Sequence, residues 1–466
     1  MTKSPASPSA KAQCALPDGL ETPRRHWAVL TMMAALIVTV LDSGMVNVAL
    51  PTIAGELDIN PADVVWVVIA YNLVVVVSLL PLSSLVERIG YRRLFAIGMV
   101  FFVCASLISA MATSLPTLIA GRMAQGFAAA ILMSMFGGLV RNIFPLRKLG
   151  LGISLNATMV GTFSVLGPTI GAMILHVAAW PWIFLVVVPI GVAGLFGIRY
   201  LPDVPRSTHR FDWIACLLSV PVLGLSIVGL DSVATHPGRA LACIGLAALA
   251  GWLLVRRSRD QAAPLFPLDL LRIRSIAYAV GASTFSFAAQ MAAFVSLPFY
   301  FQKVLNFSYA DVGFLLGIWS IGMAAMAPLA GWMSGRYAIS VLCAVGAGLM
   351  VCGLSWLLLL REDAAFSWVM ATMLLSGIGF GFFQTPNNRA LLAGAPRHRS
   401  GAAGGVQATT RVFGQGCGTA LVAIAFHLGQ THGPMLGVVM SITSAACALA
   451  VNVLRYRDKA PDMPLA

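Results

Sequence analysis

Residues 48–64, VALPTIAGELDINPADV, return in altered form as residues 295–312, VSLPFYFQKVLNFSYADV. In each copy an apolar helix ends beyond a Leu-Pro pair, a short polar linker follows, and an Ala-Asp-Val triplet opens the next apolar stretch. Farther along, Pro145, Gly150 and Ala157-Thr158 reappear as Pro396, Gly401 and Ala408-Thr409, at nearly the same offset of about 250 residues. One long offset shared by separate matches means two related halves running in the same sense. That is the plan of alternating-access transporters, whose substrate site lies between the halves near the bilayer midplane.

Composition agrees with a membrane setting. Of 466 residues, 59% are apolar and 10% charged, with mean hydropathy +0.87. A soluble chain is about 25% charged, so a soluble enzyme, a nucleic-acid binder and a secreted disulfide scaffold are excluded. The eight cysteines are scattered and form no C-x-x-C pair, so no metal site is indicated. No cofactor motif occurs, and no G-x-x-x-x-G-K-[ST] loop for ATP, which leaves an ion gradient as the energy source.

A membrane-crossing helix needs roughly 20 mostly apolar residues. Spans fall near 27–50, 64–84, 94–113, 115–139, 151–175, 180–201, 211–230, 237–255, 276–301, 312–334, 338–360, 366–388, 405–427 and 433–454. The expected fold class is therefore an all-α polytopic membrane protein of fourteen transmembrane helices. A polar tail (1–26) with no signal-peptide character precedes a six-helix half (27–201). Two inserted helices (211–255), a second six-helix half (276–454) and a C-terminal tail (455–466) complete the chain.

Charge placement tests this count. With the N-terminus in the cytoplasm, 25 of the 30 Lys and Arg fall on cytoplasmic loops and tails. Arg239, Lys303 and Arg361 fall outside, and Arg122 and Arg411 lie inside spans. The net charge of +13 is thus a topology signal that places both termini in the cytoplasm.

Four motifs then give the chain a resemblance. Span 1 carries Leu41-Asp42-Ser43-Gly44-Met45-Val46-Asn47-Val48-Ala49-Leu50-Pro51-Thr52-Ile53, and the 2–3 loop carries Ser83-Ser84-Leu85-Val86-Glu87-Arg88-Ile89-Gly90-Tyr91-Arg92-Arg93. Span 4 carries Arg122-Met123-Ala124-Gln125-Gly126, and span 5 carries Gly161 and Gly167-Pro168-Thr169-Ile170-Gly171. In this order they resemble the major facilitator superfamily, and within it the fourteen-spanner drug:H+ antiporters of EmrB/QacA type. The resemblance implies the major facilitator fold and proton-coupled efflux of amphipathic drugs or toxic compounds from a cell inner membrane. A proton-coupled transporter of one endogenous metabolite is the alternative on the same scaffold. Ser83 and Glu87 stand where the family usually has Gly and Asp. The long external segment that relatives often carry between spans 13 and 14 is here reduced to residues 426–434.

The residues carry their own argument. Asp42 is the one acid placed deep in a span, ~13 Å from its outer end. An ionised carboxylate there costs at least about 2.5–3.5 kcal/mol. Protonation, a partner or a wet cavity removes that cost, and each suits a proton carrier; a structural Asp capping a helix break is the competing reading. Arg122 enters span 4 to a similar depth, so the two are expected to face each other as the proton-coupling pair. The competing role for Arg122 is a brace on backbone carbonyls. Near Met373, the repeat position in span 12, no counterpart exists.

Glu87, Arg88, Gly90 and Arg92 are expected to gate as a charge latch at the membrane face, unless the loop is merely topogenic. The resemblance implies that Gly167, Pro168 and Gly171 bend and smooth span 5 where the halves meet, with ordinary helix packing as the competing reading. For the substrate cavity the candidates are Asn47, Asn72, Asn156, Gln290, Gln384 and Asn388, with Tyr71, Asn387 and nearby aromatics in support. Expected partners are a small-molecule substrate, protons and lipid, with no nucleic acid. Nothing in the sequence indicates a periplasmic adaptor, and a monomer is expected.

Overall fold

The computed structural model describes residues 19–145, 149–203, 213–258, 268–361, 364–395 and 400–458. Its helices are α1 (Arg24–Glu56), α2 (Pro61–Val64), α3 (Trp66–Ile89), α4 (Tyr91–Ala110), α5 (Leu115–Ile143) and α6 (Leu149–Val177). Next come α7 (Trp182–Leu185), α8 (Val187–Phe196), α9 (Trp213–Asp231), α10 (Pro237–Ser258), α11 (Leu268–Leu271) and α12 (Arg274–Lys303). The remainder are α13 (Tyr309–Met333), α14 (Ile339–Leu359), α15 (Phe366–Ala393), α16 (Ser400–Gly429) and α17 (Gly433–Arg457). Apolar runs of this length can bury their backbone polar groups in lipid only by forming helices.

Among the described residues, twelve stretches are long and apolar enough to cross a membrane. One of them, 403–457, contains both α16 and α17. The sixth expected span, 180–201, is instead a shorter apolar helical stretch, Trp182–Phe196, broken at Val186. Pro189 accounts for the break, because its ring clashes with the carbonyl four residues earlier, that of Leu185.

The sequence repeat is a repeat of linker chemistry. Asn60 accepts a hydrogen bond from the Ala62 amide at 2.9 Å, and the Ser308 side chain accepts one from the Asp311 amide at 3.2 Å. Asp63 and Asp311 each occupy a first helical turn, where a carboxylate meets the positive end of the helix dipole. Both linkers turn through a left-handed residue, Asp58 at φ 51° and Asn306 at φ 53°, residue types that tolerate this region.

Packing repeats as well. Gly126 of α5 sits over the Tyr71 carbonyl of α3, and Gly377 of α15 sits over the Trp319 carbonyl of α13. Gly167 and Gly171 of α6 face Gly44 and Met45 of α1, as Gly414 and Gly418 of α16 face Thr284 and Ala288 of α12. Small residues at these crossings let backbones approach closely without a hydrophobic driving force between helices.

The halves meet where α6 packs on α13 and α3 on α16, with α9 of the inserted pair resting on both α3 and α16. Gly313 abuts Ala172, and Ser320 donates to the Ser164 carbonyl at 3.2 Å. Gly161 lies three turns before Ala172 on the same face of α6, yet no atom stands within 4 Å of where its Cβ would be. Positions 404 and 405 of α16 are equally open. The described contacts between α6 and α13 thus run from Ser164 to Ala172, toward the α1–α2 end of α6.

These contacts give contrasting expectations for two glycines. Gly377→Ala drives a methyl into the Trp319 backbone and should destabilise by about 1–3 kcal/mol. Gly161→Ala should be neutral or slightly stabilising. Thermal unfolding in detergent measures both, and equal melting temperatures would contradict the packing described.

Candidate functional site: a buried ion pair in the first half

Asp42 of α1 and Arg122 of α5 form an ion pair, Arg122 Nη1 donating to Asp42 Oδ2 at 2.6 Å. Both side chains are almost wholly buried, at 0% and 1% exposure. It joins the two residues whose depths matched in the sequence.

Gln125, one turn beyond Arg122, organises the pair. Its Nε2 donates to Asp42 Oδ1 at 3.2 Å and to Ser106 Oγ at 2.8 Å. Its Oε1 accepts from Arg122 Nη1 at 2.9 Å and from Ser109 Oγ at 3.2 Å. Both amide donors and both acceptor positions are used. The orientation follows from charge: a flipped amide would point its NH₂ at the guanidinium.

Arg122 is held from two further sides. Its Nε donates to the Val67 carbonyl at 3.2 Å, and its guanidinium lies 4.3 Å from the Tyr71 ring centroid and 5.8 Å from that of Phe184. The brace and the ion pair, two roles the sequence leaves compatible, coexist. Gln125 went unassigned there, although its place three residues after Arg122 on the same helical face was the available signal.

At the repeat positions of the second half, Met373 is buried and so is Ala289. Among the described residues, the Asp–Arg pair therefore has no counterpart at these positions.

Other expected site residues are dispersed. Gly167 and Gly171 lie against α1, within the first half, and not at the junction of the halves; Pro168 and Thr169 of the same helix face Gly313 of α13. Gly90, at φ 95°, makes the break between α3 and α4 that L residues rarely adopt. Arg92 Nε donates to the Leu201 carbonyl at 2.7 Å, the same carbonyl that accepts from Arg24 Nη2 at 3.1 Å. Arg88 is half-buried at the end of α3, and the Glu87 side chain lies outside the described residues.

Of the substrate candidates, Asn47 and Asn72 are buried and Asn156 is half-buried. Each keeps one buried polar atom without a hydrogen-bond partner: Asn47 Oδ1, Asn72 Nδ2 and Asn156 Oδ1. Gln290, Gln384 and Asn388 are half-buried. Asn387 is a helix tie, its Nδ2 donating to the Ala279 carbonyl at 3.0 Å and to Ser283 Oγ at 2.6 Å.

Residues 32–419 match the family profile described as Major Facilitator Superfamily. The chain belongs to that superfamily. It is 40% identical to the uncharacterized transporter YebQ of Escherichia coli, over 95% of this chain and 99% of that one. It is 30% identical to the riboflavin transporter RibZ of Clostridioides difficile, covering 88% and 90%. To the multidrug efflux pump LfrA of Mycolicibacterium smegmatis it is 29% identical, covering 97% and 90%. A solved POT family transporter shares the fold, with a TM-score of 0.74 at 12% identity over 94% of this chain and 96% of that chain. This member of the superfamily is thus a multi-pass membrane transporter.

A double-mutant cycle tests the pair. Arg122→Leu strands Asp42 and should destabilise by about 3–5 kcal/mol. Asp42→Asn added to it should recover much of that loss. Unfolding in mixed detergent micelles measures the cycle, and additive effects would contradict the interaction.

Proposed function

We propose that this chain is a proton-driven antiporter that exports amphipathic compounds across a cell inner membrane by alternating access. The observation that carries the reading is the buried Asp42–Arg122–Gln125 cluster. Protonating Asp42 removes the negative charge that compensates Arg122, leaving a buried cation with only neutral partners. That arrangement is costly, so proton binding favours a conformation in which the cluster is hydrated or rearranged. Release of the proton restores the pair and the closed packing. A proton crossing roughly 100 mV supplies about 2.3 kcal/mol toward this cycle.

In this reading the chain crosses the bilayer fourteen times: twelve long apolar stretches, one of which holds two helices, plus the Pro189-interrupted segment. This reading keeps both termini cytoplasmic, which the Lys and Arg asymmetry supports. Gly90, Arg92 and Pro168 belong to the moving parts between the two states, while Gly167 and Gly171 hold α6 to α1 within the first half. Asn47, Asn72, Asn156, Gln290, Gln384 and Asn388 supply polar contacts in the cleft. Similarity to LfrA supports efflux of amphipathic drugs. The similarity to RibZ favours the second reading, a single endogenous solute.

Purified protein in liposomes with an internal pH dye tests the proposal. A panel of amphipathic compounds should trigger proton movement in the wild type and at least about tenfold less in Asp42→Asn. Proton movement that survives Asp42→Asn would remove Asp42 as carrier. Response to one solute only would favour the narrow reading.

A further inference from the structure

Arg411 is a charged residue inside a span that the ion-pair cluster does not use. It lies about 16 Å from the start of α16 and about 27 Å from its end, well within the helix. An arginine at such depth is expensive unless paired, and normally marks a functional site. The other deep arginine, Arg122, has a carboxylate, an amide, a carbonyl and an aromatic face. Arg411 has no acid within ion-pair distance among the described residues, and its buried Nε has no hydrogen-bond partner.

Its surroundings are polar and shared between the halves. Gln407, Arg411 and Gln415 recur every four residues and so share one helical face. Each is half-buried, while Thr409, Thr410, Val412 and Gly414 between them are buried. On that helix, α16 packs against α12 of its own half and α3 of the other. The Tyr71 hydroxyl of α3 lies within electrostatic reach of Arg411 as well as of Asp42. Asn72 Nδ2, next to Tyr71, and Trp319 Nε1 of α13 are further buried donors without partners.

Asp42 is neutralised by Arg122, and the second-half repeat positions are apolar. Among the described residues, Arg411 is a deep cation with no acid beside it, on a helix that packs against both halves. We propose that Arg411 is the anion-recognising residue of the cleft between the halves, and that the transported compound carries an acidic group, carboxylate or sulfonate, on an apolar body. A guanidinium matches such a group with paired N–H donors. The proposal rests on the transport reading above and adds the charge of the substrate.

Binding by purified protein tests it separately from transport. The probes are 2-naphthylacetic acid, its amide and 2-(2-naphthyl)ethylamine, titrated at neutral pH and followed by quenching of tryptophan fluorescence. The wild type should bind the acid at least about tenfold more tightly than the amide, and the amine most weakly. Arg411→Gln should bind acid and amide alike, and Arg411→Lys should keep part of the preference. Melting temperatures establish that the variants are folded; if Arg411→Gln is not, the Lys variant and the three wild-type affinities decide. Equal affinities in the wild type, preference for the amine, no binding of the acid, or an unchanged preference in the variants would overturn the proposal. An Arg411-dependent acid preference without coupled proton movement would defeat antiport and leave this site standing. Proton movement with charge-blind binding would do the reverse.

Discussion

The first half is organised around one constraint: a carboxylate and a guanidinium placed deep in a bilayer must find each other or be removed. Asp42 and Arg122 meet at 2.6 Å with essentially no solvent contact. The neighbouring residues are what such a pair requires. Gln125 fills the second carboxylate oxygen, Val67 offers its carbonyl, and Tyr71 places a ring under the charge. Gly126 lets α5 approach the Tyr71 backbone closely enough for these reaches to work. Burial of this kind adds little net stability; on the proposed antiport reading its role is to couple the fold to one proton.

The two halves show which features belong to architecture and which to chemistry. Both keep the left-handed linker residue, the capped helix after it, and glycines beneath the carbonyls of Tyr71 and Trp319. Only one half keeps the charges. Ala289 and Met373 fill the corresponding interior of the other with apolar side chains. On the proposed alternating-access reading, equivalent helix crossings serve the motion of both halves and one titrating centre serves the coupling. Arg411 is the second half's own contribution, and it has no opposite charge beside it.

Much of this was legible in the sequence because lipid leaves few options. Long apolar runs become helices, and an ionisable residue inside one must be explained, so Asp42 and Arg122 announced themselves by depth. The repeat was visible because turn and cap residues are local. Other features depend on rotation about the helix axis, which hydropathy does not report. Hence Asn387, counted among polar cavity groups, is a tie between α15 and α12, and Gly167 and Gly171 face α1 instead of the other half. Gln125 was overlooked because an amide in a span is ordinary until its four partners are known. Pro189 broke the sixth span through a local clash that a hydropathy count passes over.

The central claim is that the carboxyl of Asp42 changes protonation as the transporter changes state. Infrared difference spectroscopy of the protein in lipid, recorded on adding a transported compound, observes this directly. The account predicts a change in the protonated-carboxyl C=O band that shifts in ²H₂O and is lost in Asp42→Asn. A band that persists in Asp42→Asn, or no carboxyl change during a demonstrated conformational response, would contradict it.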